Sequence, residues 1–111
     1  MAETVCVELD GQVATVLLNR PETFNAFDLD MIELFASRIT TLAVDDSVRG
    51  IVISGRGKGF CAGGDLRWAH GFPHGPSAAF HTLAARLHQA VLEIRRMSKP
   101  VIAVGGGFSL A

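Results

Sequence analysis

Apolar residues in this chain fall into two kinds of pattern. Residues 5–9 (Val-Cys-Val-Glu-Leu) and 13–18 (Val-Ala-Thr-Val-Leu-Leu) are short, β-branched and strand-like, and Asp10-Gly11 between them predicts a tight hairpin. Pro21 stops the second strand and opens a loop over residues 19–25. A 3.6-residue period follows. Ile32, Phe35, Ala36, Ile39, Leu42 and Ala43 form one stripe of a helix that Asn25 or Asp28 caps, and Asp45-Asp46-Ser47 ends it. Ile51-Val52-Ile53-Ser54 is a third strand. Its strand–helix–strand context predicts a parallel crossover with both of its faces buried. Residues 69–76, with two prolines and two glycines, predict an exposed loop. Ser77 is placed to cap a second helix whose buried stripe is Phe80, Leu83, Ala84, Leu87, Val91 and Ile94. Arg95, Arg96 and Lys99 suit its negative end, and Pro100 closes it before a last apolar run, Val101-Ile102-Ala103-Val104.

Composition narrows the function classes. The chain has 111 residues, a net charge of -1, 49% hydrophobic and 19% charged residues, which fits one α/β domain over residues 1–111. No Lys/Arg stripe points to nucleic acid, and no apolar run reaches the ~18–20 residues of a membrane helix. The acidic start, Met1-Ala2-Glu3-Thr4, has no apolar signal core, so the expected location is cytoplasmic. Cys6 and Cys61 are then expected to be free thiols. No Cys/His spacing suggests a metal. The sequence stops at Phe108-Ser109-Leu110-Ala111 with no polar turn or cap, which is expected of a fragment or a truncated product.

The candidate chemistry lies in two glycine clusters, each after a strand: Gly57-Lys58-Gly59-Phe60-Cys61-Ala62-Gly63-Gly64-Asp65-Leu66 and Gly105-Gly106-Gly107. Glycine lets backbone N–H groups approach a ligand closely. The first cluster formally fits a dinucleotide-binding G-x-G-x-x-A, but no acid stands between Leu66 and Gln89 to hold a ribose. A phosphate-binding P-loop fails because Gly59 follows Lys58. A purely structural turn remains open. So does a pair of N–H donors aimed at one oxygen, the arrangement that stabilises an oxyanion.

Four segments in order carry a resemblance: Leu18-Asn19-Arg20-Pro21, Asn25-Ala26-Phe27, Gly59-Phe60-Cys61-Ala62-Gly63-Gly64-Asp65-Leu66 and Lys99-Pro100-Val101-Ile102-Ala103. Together they resemble the N-terminal part of the enoyl-CoA hydratase/isomerase (crotonase) superfamily. The resemblance implies a crotonase-like α/β spiral of strand-strand-helix units, incomplete here, and an acyl-CoA ligand. It implies no cofactor beyond coenzyme A, which is part of the substrate, and it implies a homo-oligomer, trimer or hexamer. It places the thioester carbonyl between the backbone N–H groups of Gly64 and Gly106, where an enolate is stabilised. It places Ala62, Gly64, Asp65, Leu66 and Arg67 along the substrate, with Lys58 a further candidate for its phosphates. Asp65 corresponds to an acid that mainly binds nearby N–H groups, as loop aspartates do.

Two departures bear on activity. Only Val104 separates Ala103 from Gly105, where the resembled family has a longer stretch. Ser109 stands where the first catalytic glutamate is expected, and serine without an activating partner is no carboxylate base. Whether this chain is an enzyme by itself is therefore left open. The alternatives are a catalytically silent fragment and an acyl-CoA hydrolase or dehalogenase-like variant using His88. His81, His70 and His74 are expected at the surface. Trp68 either flanks the acyl group or packs.

Overall fold

The computed structural model describes residues 3–57 and 63–104. Strands β1 (Val5–Asp10) and β2 (Val13–Leu18) form the antiparallel hairpin, with Val5 opposite Leu18 and Asp10 opposite Val13. The turn sits at Gly11-Gln12, one residue later than the Asp10-Gly11 expectation. Gly11 takes φ 61°, the left-handed value that a two-residue hairpin asks of its first central residue.

A single 3-10 turn at Pro21–Thr23 leads to helix α1 (Leu29–Ala43). Asp28 is its N-cap, accepting the Met31 N–H at 2.9 Å, whereas Asn25 is fully buried and does other work. Strand β3 (Gly50–Gly55) then pairs parallel to β2, and β4 (Val101–Val104) pairs parallel to β3, so the sheet order is β1-β2-β3-β4. Between β3 and β4 lie α2 (Leu66–His70) and α3 (Pro76–Arg96). Helix α2 occupies part of the expected loop. Helix α3 is capped by Gly75 with Pro76 in its first turn rather than by Ser77; proline there sacrifices an N–H that a helix start leaves unused.

One sheet face carries the core. Val5, Ala14, Val16, Leu18, Ile51 and Ile53 pack against Met31, Ile32, Phe35, Ile39 and Leu42 of α1 and Leu83 and Ala90 of α3. The other face is open: Val52 and Ser54 are half-buried, and Ile102 is 60% exposed. The expectation that β3 is buried on both faces is corrected accordingly, because among the described residues α1 and α3 both pack on one side.

The stripe on α3 is also corrected. Ala79, Leu83 and Ala90 are its buried residues, while Phe80, Leu87 and Val91 are exposed by 36%, 43% and 39%. One residue is about 100° of helix rotation, so the apolar row 80-84-87-91 is turned off the core. Lys99 likewise serves a different helix end from the one expected. Its Nζ donates to the Leu42 and Asp45 carbonyls, both at 2.6 Å, and so closes the C-terminus of α1.

Candidate functional site

The first glycine segment leaves the sheet at β3 and returns over the loop that joins β2 to α1. On the way out, Arg56 N–H binds the Leu18 carbonyl at 2.9 Å, and the Arg56 carbonyl accepts from Asn25 Nδ2 at 3.0 Å. Gly57 has φ 90°, and a Cβ there would sit 2.8 Å from Pro21 Cβ. Both conditions require glycine, so this first glycine is structural. Asn25, at φ 59°, also accepts the Arg20 N–H at 2.7 Å, fixing the loop from inside. Asparagine tolerates that left-handed conformation better than most residues.

On the way back, residues 63–65 are pinned to Phe27. Phe27 N–H binds the Gly63 carbonyl at 2.7 Å, and Asp65 N–H binds the Phe27 carbonyl at 2.8 Å. This is a one-residue parallel bridge between Phe27 and Gly64. In such a bridge the flanking peptides make the bonds, so Gly64's own N–H and C=O face the opposite side. Among the described residues, no protein acceptor takes the Gly64 N–H.

Arg20 fastens this turn. Its Nη2 donates to Asp65 Oδ2 at 2.9 Å, and its Nη1 donates to the Ala26 carbonyl at 2.7 Å and lies 3.6 Å from Asp28 Oδ2. Asp28 and Asp65 are themselves the N-caps of α1 and α2; Asp65 Oδ1 accepts the Trp68 N–H at 3.2 Å. One guanidinium thus joins two helix starts. Neither the Arg20 clamp nor the Phe27 bridge was singled out from sequence. The signal available was the company of Arg20 and Phe27 in the short segments around residues 18–27.

Burial pulls the Asp65 carboxyl upward, but the Trp68 N–H and the Arg20 guanidinium outweigh it and hold the group below its ordinary 3.8. A carboxyl lowered on folding adds stability above its unfolded value, and that stability is lost as pH falls through the folded value. Wild type is therefore expected to exceed Asp65→Asn in stability by a constant margin near neutrality. That margin shrinks once the pH drops below about 3.8. Urea titrations of both proteins from pH 7 downward check this, and a margin that widens in acid contradicts it.

Gly64 lies on the ridge between two grooves. One, of about 230 Å³, is lined by Phe27, Ile32, Gly63, Gly64, Phe80, Leu83, Ala84 and Leu87, with no polar side chain among the described residues. The other, of about 470 Å³, carries the charged side chains Arg20, Glu22, Asp65 and Arg67 beside Thr23, Ala26, Gly64 and Leu66. Of the site residues expected from sequence, Gly64, Asp65, Leu66 and Arg67 meet here. Ala62, Lys58, Cys61, Ser109 and the Gly105-Gly106-Gly107 cluster lie outside the described residues. Arg67 and Leu66 are exposed.

The histidines stand apart. His88 and His81 are exposed on α3, and neither lines the grooves at Gly64. His70 is the last residue of α2 rather than part of a loop, and His74 contacts Phe72 edge-on at 6.2 Å; both are exposed. Trp68 is half-buried on the core, 5.3 Å from the Phe72 ring, and lines neither groove. Among the described residues, no cluster of three His, Cys, Asp or Glu is arranged to hold a metal, and no helix is long and apolar enough to cross a membrane.

Comparisons with known proteins bear on the family and the fold. The family model for enoyl-CoA hydratase/isomerase matches residues 13–110. A Mycobacterium bovis protein named probable enoyl-CoA hydratase echA12 is 34% identical over 110 residues, covering 90% of this chain and 39% of its own length. The 1,2-epoxyphenylacetyl-CoA isomerase of Escherichia coli K12 is 32% identical over 118 positions, covering 100% of this chain and 45% of its own length. Those 118 positions exceed the 111 residues here, so that relative carries residues this chain skips. The crystal structure of an enoyl-CoA hydratase from Mycobacterium smegmatis superposes with a TM-score of 0.82 at 37% identity, over 92% of this chain and 39% of that one. The chain thus spans about two fifths of the length of the proteins it matches, and its fold is the crotonase type.

Proposed function

Since the chain belongs to the enoyl-CoA hydratase/isomerase family, we propose that it binds an acyl-CoA thioester astride Gly64. The thioester carbonyl accepts the outward Gly64 N–H, the acyl group lies in the apolar groove along α3, and the coenzyme A portion lies in the charged groove toward Arg67. Gly106 supplies the second donor, and the chain works as a homo-oligomer. The observation that carries this reading is that one residue with a spare N–H borders both grooves, one lined by apolar side chains and one flanked by charged ones. A thioester has that same division, an apolar acyl group on one side of a polarisable carbonyl and a polar carrier on the other. No group beyond the coenzyme A of the substrate is needed to polarise the carbonyl.

A second reading concerns turnover. Among the described residues, no carboxylate or histidine lines the apolar groove, so none of them offers the acyl carbons a proton donor or base. The chain then binds and polarises the thioester without hydrating it. General acid–base groups contribute about 10²–10⁴-fold to such reactions. Calorimetric titration with crotonyl-CoA, followed by an absorbance assay of the same sample, tests both parts. Saturable binding is expected, with hydration slower by about that factor than in a relative holding a glutamate at the position of Ser109. Absence of binding overturns the first reading; rapid hydration overturns the second.

A further inference from the structure

The apolar groove has a distinct shape at each end, and Phe80 sets the end nearest the chemistry. A Cβ placed on Gly64 would lie 2.7 Å from Phe80 Cε1, 3.1 Å from its Cδ1 and 3.3 Å from Leu83 Cδ1. The Phe80 ring is therefore in van der Waals contact with Gly64, with no room for a methyl group between them. From there the groove follows α3 past Ala84, the smallest side chain of its α3 wall, to Leu87. Seven residues of helix separate Phe80 from Leu87, roughly 10 Å at 1.5 Å per residue. The lining is thus bulky beside Gly64, small at Ala84 and bulky again at Leu87. Phe80 keeps 36% of its surface exposed although it touches Gly64, and it contributes nothing to the buried core cluster. Its place in the fold is at the groove rather than in the interior.

We propose that Phe80 determines specificity, restricting acyl groups to those that are unbranched at the carbon next to the thioester carbonyl, while Leu87 limits their length. This rests on the reading that the thioester carbonyl sits at Gly64. A carbonyl hydrogen-bonded there places its neighbouring carbon against the Phe80 ring, where a second substituent collides. A linear chain passes along the small Ala84 side chain. Among the described residues the groove offers no polar side chain, so a hydroxyl or carboxyl on the acyl chain loses its hydration without gaining a partner there. The preferred ligands are linear, apolar acyl-CoA esters.

The test is calorimetric titration of the 111-residue chain and its Phe80→Ala, Phe80→Leu and Leu87→Ala variants. The ligands are butyryl-CoA, isobutyryl-CoA, octanoyl-CoA and coenzyme A. Coenzyme A has no acyl group and reports on the charged groove. Wild type is expected to prefer butyryl-CoA to isobutyryl-CoA. In Phe80→Ala that ratio falls about tenfold or more, the low end of what one methylene is worth in a hydrophobic pocket, and Phe80→Leu falls between the two. Leu87→Ala leaves the branched-to-linear ratio where it was and improves octanoyl-CoA binding. If Phe80→Ala and Phe80→Leu, both folded by circular dichroism, bind butyryl-CoA with the wild-type ratio, the role of Phe80 is overturned while the acyl-CoA reading stands. If wild type binds coenzyme A no more weakly than any acyl-CoA, the groove takes no acyl group and both fall.

Discussion

Arg20→Ala is expected to lower the free energy of unfolding by about 2–4 kcal/mol. That is somewhat less than the ~3–5 kcal/mol for breaking a fully buried pair, because the two side chains keep 17% and 12% of their surface exposed. Three acceptors lose the guanidinium at once: Asp65, the Ala26 carbonyl and Asp28. Two of them are carboxylates that cap helices, and they lose their cationic partner. Arg20→Lys is expected to recover less than half of the loss. Its single ammonium cannot reach the fork of Asp65 Oδ2 and the Ala26 carbonyl together. The damage falls on the turn that holds Gly64, so amide exchange at Asp65, whose N–H binds the Phe27 carbonyl, is expected to accelerate more than exchange in β2. Denaturant titration and hydrogen exchange of the three proteins check this. A loss under ~0.5 kcal/mol, the range of an ordinary surface pair, contradicts the clamp.

The second large effect separates a peptide N–H from a side-chain clash. Gly64→Ala and Gly64→Pro both add a Cβ against Phe80, but only proline removes the N–H. The bridge to Phe27 is made by the Gly63 carbonyl and the Asp65 N–H, so proline costs the fold no hydrogen bond at this position. Both variants are expected to fold and to bind crotonyl-CoA more weakly than wild type, since both push on the Phe80 ring. Gly64→Pro is expected to lose about tenfold more affinity than Gly64→Ala, the equivalent of a net hydrogen bond of roughly 1–1.5 kcal/mol. In any turnover the gap widens, because an oxyanion-hole donor is worth ~2.7–4 kcal/mol in the transition state. Equal losses in the two variants would mean that the N–H touches no ligand.

The fold was largely legible in the chain because its elements obey simple periods. The hairpin, α1 and the parallel pairing of β2 and β3 follow from alternation, helical spacing and the strand–helix–strand order. The misses have physical reasons. Helix α2 has five residues in a stretch rich in glycine, proline and aromatic side chains, too short for any period to show; its one signal is Asp65, three residues before Trp68, in N-cap position. On α3 two apolar rows lie side by side. A stripe that packs on a core and a stripe that lines a groove read the same in sequence, and only the position of α1 decides between them. The outer sheet face was expected to be covered because parallel strands usually are, yet the described residues place both long helices on one side. The site was legible as a glycine turn. The groove was not, because it joins three separate segments, Phe27 and Ile32, Gly63-Gly64, and α3, that meet only in the fold.

The central claim is that the Gly64 peptide meets the thioester. The most direct measurement is the amide proton shift of Gly64 in ¹⁵N-labelled protein titrated with crotonyl-CoA. A new hydrogen bond to the carbonyl predicts a saturable downfield movement of that resonance, with the Leu87 methyl signals moving at the same ligand concentration. Saturation of the protein with the Gly64 amide unmoved would contradict the account.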